Sequence, residues 1–184
     1  DYTVTLKVKP RYVTEACIQR IKAWRQKLGH EIRPAIWWGA DDSIQLISTE
    51  TYRELVLPFH RRLISELAGD GPHSIHLCGD ATRHFKTIRD ELNVDKFDTG
   101  FPVDFGRLRE ELGPEVRIQG GPTVALLQHG TPDQVREECR RILSTGVMRG
   151  GRFVLREGNN LSPGTPAENV AAMYQAAKDF GYYS

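Results

Sequence analysis

The sequence predicts an α/β protein built on a parallel sheet, and three observations predict it. Short apolar runs alternate with longer stretches of helical spacing along the 184 residues. The runs Pro34–Trp38, Ser74–Cys78, Val116–Gln119 and Phe153–Leu155 are near-continuously apolar or close in charged or glycine-rich turns, the pattern of strands covered by helices. Polar residues cluster just after each run, where parallel α/β folds carry their chemistry. Five units are expected, or six with an N-terminal strand. A doubly wound sheet and part of an eight-fold (β/α)8 barrel both fit this rhythm. No Gly-x-Gly-x-x-Gly turn follows a strand, which counts against a dinucleotide fold. A closed barrel typically needs about 250 residues, so the barrel reading is its C-terminal part. Such a part leaves strand edges unpaired and calls for its N-terminal complement or a second copy.

The elements follow in order. Val4–Val8 alternates and is expected as an edge strand. Thr14 is expected to cap a helix running to Leu28 through Ala16, Ile18, Ile21 and Trp24. Pro34–Trp38 is the next strand, and one of Trp37 and Trp38 must pack under a helix. Ser48 opens a helix, with Thr51 at its third position, that reaches Leu67 and breaks near Pro58. Ser74–Cys78, helix Thr82–Leu92 and strand Lys96–Thr99 come next. Asp104 caps a helix that Gly113 stops. Val116–Gln119 ends in Gly120 and Gly121. Thr131 and Pro132 start a helix that stops near Gly146. Phe153–Leu155 and a helix from Thr165 to Gly181 close the chain.

Composition narrows the partners. There are 25 basic and 24 acidic residues, with formal charge +1 and no basic block, which argues against nucleic acid. No apolar run approaches a membrane span. Cys17, Cys78 and Cys139 are odd in number and far apart, which suits the cytoplasm better than a disulfide framework. The chain opens on Asp1 with a residue pattern already under way. It is read as one domain, 1–184, incomplete at its N-terminus, with N-terminal trimming as the alternative.

The chemistry is expected at the strand ends. His76 and Cys78 lie two apart on a strand and so share a face. An imidazole beside a thiol suits a metal site or a polar catalytic pocket, and equally a buried histidine beside a small apolar cysteine. Asp41 and Asp42 follow the preceding strand and can hold a cation or act as general bases, or simply form a solvated turn. Asp80, Asp98, Thr99 and Arg156 stand at the same level. After Gln119, Gly120 and Gly121 let backbone approach a ligand closely, or simply form a plain turn. Asn159 and Asn160 can hydrogen-bond a planar or carboxylated substrate. His30, His60, His73, His84 and His129 fall on loops and helices and are read as surface residues.

In order, these segments resemble the C-terminal portion of the uroporphyrinogen decarboxylase family, which also holds cobamide-dependent methyltransferases. The likeness is carried by Asp41-Asp42 with Leu46–Glu54 and Leu57-Pro58, by Ile75-His76-Leu77-Cys78-Gly79, by Ile118–Gly121 with Thr131–Val135, and by Gly150–Leu155 with Thr165–Val170. It implies an eight-fold barrel with its active site at the strands' C-terminal face. In the methyltransferase branch it implies zinc held by His-x-Cys and a later Cys, activating a thiol that accepts a methyl group from a corrinoid on a partner protein. His76 and Cys78 match the first two ligands. Asn159 stands where the later Cys, or the decarboxylases' His, should fall, so Glu157 or Asp80 is the carboxylate expected to complete a zinc site. The expected function is methyl transfer between a small substrate or thiol and a corrinoid, with Asp41, Asp42 and His76 catalytic and Gln119, Gly120, Asn159 and Asn160 binding substrate. The alternatives are porphyrinogen decarboxylation and a non-catalytic binding barrel.

Overall fold

The computed structural model describes residues 2–183. Five parallel strands, β1 (Trp38–Ala40), β2 (His73–Leu77), β3 (Val94–Thr99), β4 (Arg117–Gly120) and β5 (Phe153–Leu155), pair strictly in chain order. That order decides between the two architectures. A doubly wound sheet reverses its strand order at a switch point, whereas a barrel adds each strand beside the last. The sheet is therefore an arc of a (β/α) barrel, and β1 and β5 are its edges among the described residues.

Helices cover one face. They are α1 (Tyr2–Lys27), α2 (Thr49–Leu55), α3 (Leu57–Leu67), α4 (Thr82–Leu92), α5 (Phe105–Leu112), α6 (Val124–His129), α7 (Pro132–Leu143) and α8 (Ala167–Phe180). Register explains which side chains they bury. Ile75, Phe97, Ile118 and Phe153 stand side by side across the sheet and are all buried. They meet Phe85, Ile88 and Leu92, which recur at helical spacing on α4, and Leu108 and Leu112 of α5. Phe85 and Phe97 stack with ring centres 4.8 Å apart. Leu127, Val135, Cys139, Met173 and Ala176 form a second cluster among α6, α7 and α8. The adjacent row, Ala40, His76, Asp98, Gln119 and Val154, faces the other way and stays at least partly open.

Most boundaries follow local chemistry. Ser48 accepts from the Thr51 amide and starts α2, and Val56 separates α2 from α3. Asp104 accepts from the Arg107 amide at 3.1 Å to start α5. Thr131 and Gln134 form a reciprocal capping box at α7, worth about 1 kcal/mol. Asn93 ends α4 in the left-handed region, which an asparagine tolerates.

Three expectations are corrected. Val4–Val8 is not a strand but part of α1: among the described residues β1 pairs with β2 alone, and a helix satisfies its own backbone groups. Thr14 accordingly lies inside α1 and caps nothing. The Pro34–Trp38 strand starts only at Trp38, since the Trp37 N–H donates to the His73 ring at 3.0 Å rather than to a strand carbonyl. Trp37 is 8% exposed and sits in the core, while Trp38 is 63% exposed. Helix α6 was not expected; Thr123, which accepts from the Leu126 amide, is its one sequence signal.

Candidate active site

The site gathers at the C-terminal ends of the strands. Cys78 follows β2 directly, and His76 Nε2 lies 3.1 Å from its sulfur. From the single turn of 3-10 helix after β1 (Asp42–Leu46), the Asp42 carboxylate accepts the Cys78 backbone N–H at 2.7 Å. From the loop after β5, the Asn159 amide nitrogen donates to the Cys78 sulfur at 3.1 Å. Residues 36 and 81 positions away thus close on one thiol. Gly100, after β3, makes room for it: a Cβ there would lie 2.4 Å from the sulfur.

Charge around the thiol is predominantly negative. Burial pushes the Cys78 thiol up to about 11, and Asp42 and Asp98 push the same way, against the Asn159 hydrogen bond. Left to these groups, the sulfur keeps its proton near neutral pH. On the other side of the imidazole, Asp98 Oδ2 is 3.1 Å from His76 Nδ1. The same oxygen accepts from Arg156 Nη1 at 3.2 Å, and Arg156 Nη2 donates to Glu157 at 2.8 Å. One chain of contacts therefore runs Cys78, His76, Asp98, Arg156, Glu157.

The sequence candidates divide into two groups. Asp42, His76, Cys78 and Asn159 converge. Glu157, expected as the carboxylate of a zinc site, is instead paired with Arg156, and Asp80 projects into solvent near Arg83. Among the described residues, the carboxylate with a donor atom within 4.8 Å of those of both His76 and Cys78 is Asp42. Asp41 turns away from the thiol to His60 on α3, at 3.1 Å. Burial raises the Asp41 carboxyl, but hydrogen bonds from His60 and Ser43 outweigh it and hold the group below its ordinary range. Gln119 neighbours Asp98 in the open row. At Gly120 the Cβ direction is filled by Thr99 and Phe105, so the residue serves close packing, and its carbonyl accepts the Arg156 N–H at 3.0 Å. The Asn160 N–H donates to the Asn159 side chain at 2.8 Å, which orients that amide toward Cys78.

Three histidines read as surface residues are buried, because partners from other elements satisfy their ring nitrogens. His60 is 6% exposed, and His73 and His84 are buried as well. His60 bonds Asp41 and Tyr52, His73 accepts from Trp37, and His84 reaches the Ile44 carbonyl at 2.9 Å. His30 and His129 are exposed. The sequence reading placed Asp98 and Arg156 at the strand ends but gave them no role; their signal was that position alone.

Donor atoms of Asp42, His76 and Cys78 all lie within 4.8 Å of one another, a mixed oxygen, nitrogen and sulfur set. Three protein ligands with an open fourth position are what a catalytic zinc takes, and the donor types suit zinc. These residues therefore fit such an ion. Among the described residues no helix is long and apolar enough to cross a membrane.

Comparison with known proteins gives a consistent setting. The chain is 35% identical over 139 residues to a methylated-thiol–coenzyme M methyltransferase of Methanosarcina mazei, covering 74% of this chain and 35% of that protein. It is 27% identical to a methylcobamide:CoM methyltransferase of Methanosarcina acetivorans over 76% of this chain and 40% of that one. It is 30% identical to a uroporphyrinogen decarboxylase of Pelobacter propionicus over 77% of this chain and 39% of that one. The chain thus spans 35–40% of the length of these relatives. A solved methyltransferase from Methanosarcina mazei superposes with a TM-score of 0.66 at 22% identity, over 92% of this chain and 48% of that one, and so shares the fold. The model of the family described as uroporphyrinogen decarboxylase (URO-D) matches residues 12–180, and the chain belongs to that family.

Proposed function

We propose that the chain carries the thiol-handling part of a methyltransferase of this family, which moves a methyl group between a thiol or small methylated substrate and a corrinoid borne by a partner protein. The observation that carries this reading is the approach of Asp42, His76 and Cys78 donor atoms within 4.8 Å of one another at the end of β2. The identity of 35% to a methylated-thiol–coenzyme M methyltransferase supports the same branch.

Asp42, His76 and Cys78 would hold zinc. A bound zinc supplies Lewis acidity that lowers the pKa of a thiol in its open position to near neutrality. The chain's own residues set the conditions for that. Asp42 and Cys78 bring negative charge that a cation neutralises. Asp98, close to His76 Nδ1, favours the tautomer with its hydrogen there, so that the Nε2 lone pair faces the site. Asn159 gives the Cys78 sulfur a hydrogen bond in place of a second protein thiolate. Gln119, Asn159 and Asn160 would position the substrate.

Decarboxylation of a porphyrinogen would need Asp41 or Asp42 turned to the substrate's pyrrole nitrogens. Asp41 is instead engaged by a buried histidine, and Asp42 stands with the His76 and Cys78 donor atoms, which favours the methyl-transfer reading. The test uses methylcobalamin as probe, with a small thiol as acceptor, in zinc-supplemented buffer. Wild-type protein is expected to demethylate the corrinoid, seen as a visible absorbance change, and Cys78→Ser is expected to be inactive and zinc-free. Equal rates for the two proteins, or no zinc in the wild type, would contradict the proposal.

A further inference from the structure

Asp42 sits on an unlikely perch. It projects from a single 3-10 turn of five residues, is itself exposed, and yet must hold a carboxylate against the Cys78 amide. Short 3-10 turns are weakly held by their own hydrogen bonds. Something outside the turn has to fix it.

Its C-terminal half is fixed by α4. The Arg83 guanidinium donates to the carbonyls of Gln45 and Ile47, and His84 bonds the Ile44 carbonyl at 2.9 Å. Ile44 itself is buried in the core. The N-terminal end, next to Asp42, has a different anchor. Asp41 Oδ2 and His60 Nε2 are 3.1 Å apart, and His60 Nδ1 and the Tyr52 hydroxyl are 3.1 Å apart. Tyr52 is fully buried on α2, and His60 lies on α3 beside Trp37, with ring centres 6.3 Å apart. An ionised carboxylate only accepts, so His60 Nε2 donates to Asp41. The other nitrogen, Nδ1, pairs with the Tyr52 hydroxyl. The line of contacts runs Tyr52, His60, Asp41, and it ends one residue before Asp42.

We infer that Tyr52 and His60 are positioning residues, acting through Asp41 to hold the turn so that Asp42 reaches the Cys78 backbone. The inference rests on Asp42 serving the site around Cys78. It gives Asp41 a role behind the site rather than on the substrate, and it gives α2 and α3 a part in shaping the site.

The Cys78 amide provides a readout independent of any metal, because its N–H bond goes to Asp42. Amide exchange in the metal-free full chain, followed by NMR, compares Cys78 with Ile75 in the middle of β2. Loss of a hydrogen bond to a charged group accelerates local opening roughly ten- to a hundred-fold. His60→Leu is expected to speed exchange at Cys78 by about that factor relative to Ile75, and Tyr52→Phe by less. His60→Gln, which can accept from Tyr52 and donate to Asp41, is expected to restore most of the protection. A Cys78 to Ile75 ratio unchanged in both His60→Leu and Tyr52→Phe would overturn the inference, as would a fall in stability that speeds both amides equally. If His60→Leu does not fold, Tyr52→Phe alone decides by the same ratio. Absence of zinc from the wild type would sink the proposed function while leaving this measurement intact.

Discussion

Gly100→Ala is the sharpest perturbation of the site, since it adds one methyl group and no charge. The new Cβ would lie 2.4 Å from the Cys78 sulfur and 2.9 Å from its Cα and Cβ. Carbon contacts settle at about 3.5–4.0 Å, so the two segments must part by about 1 Å. Two of the atoms met belong to Cys78's backbone carbon and Cβ, which cannot swing away as a long side chain would. The displacement acts on three contacts at once: 3.1 Å to His76, 3.1 Å to Asn159 and 2.7 Å to Asp42. Such overpacking costs about 1–3 kcal/mol, which for a chain of this size lowers Tm by about 2–12 °C. Metal sites tolerate only about 0.2 Å of error in ligand distance, so zinc affinity is expected to fall at least about 10–100-fold. Differential scanning fluorimetry of the metal-free protein and zinc titration against a competing chelator read the two effects separately. Gly100 has no left-handed backbone to forbid alanine. If the crowding were imaginary, the substitution would stabilise the chain by about 0.4–1 kcal/mol through the unfolded state. A rise in Tm with unchanged zinc affinity would refute the packing argument.

Other outcomes follow from separate features. Burial lowers the pKa of both His73 and His84 below the ordinary 6.5. A depressed folded pKa gives stability that is complete above 6.5 and lost as pH falls through the folded values, so Tm should drop on going from pH 7.5 to pH 5; Tm measured across that range in His84→Gln should fall less steeply. Arg109 is 1% exposed and donates to the carbonyls of Val147, Gly113, Val116 and Arg152, with no carboxylate partner among the described residues. Arg109→Met leaves those carbonyls unsatisfied and is expected to cost at least about 3 kcal/mol in urea unfolding. Thr131→Ala removes half of the α7 capping box and should cost about 1 kcal/mol in the same assay, with zinc binding unchanged.

Sequence periodicity made much of the barrel legible. Strands β2 to β5 and helices α4, α5, α7 and α8 carry their own signals, because capping residues, glycine stops and apolar spacing act within a few residues of where they stand. The Val4–Val8 segment misled because alternation says which face a strand would bury, not whether a neighbouring strand exists to pair with it. His76 and Cys78 were legible as a pair because a strand fixes residues two apart on one face. Their partners were less so. Asp42, Asp98 and Asn159 reach them from the 3-10 turn, from β3 and from the loop after β5, and no local pattern states that Asn159 ends 3.1 Å from a sulfur 81 positions earlier. His60 and His84 were misplaced for a related reason: a histidine on a helix reads as polar until its two nitrogens are both seen to be satisfied.

The most direct test of the claim that Asp42, His76 and Cys78 form a metal centre is zinc K-edge X-ray absorption on the zinc-loaded chain. A single zinc–sulfur shell at about 2.3 Å with nitrogen and oxygen at about 2.0–2.2 Å is expected. Cys78→Ser should remove the sulfur shell, and Glu157→Gln should leave the spectrum unchanged. A spectrum without sulfur in the wild type, or one that Cys78→Ser does not alter, would contradict the assignment.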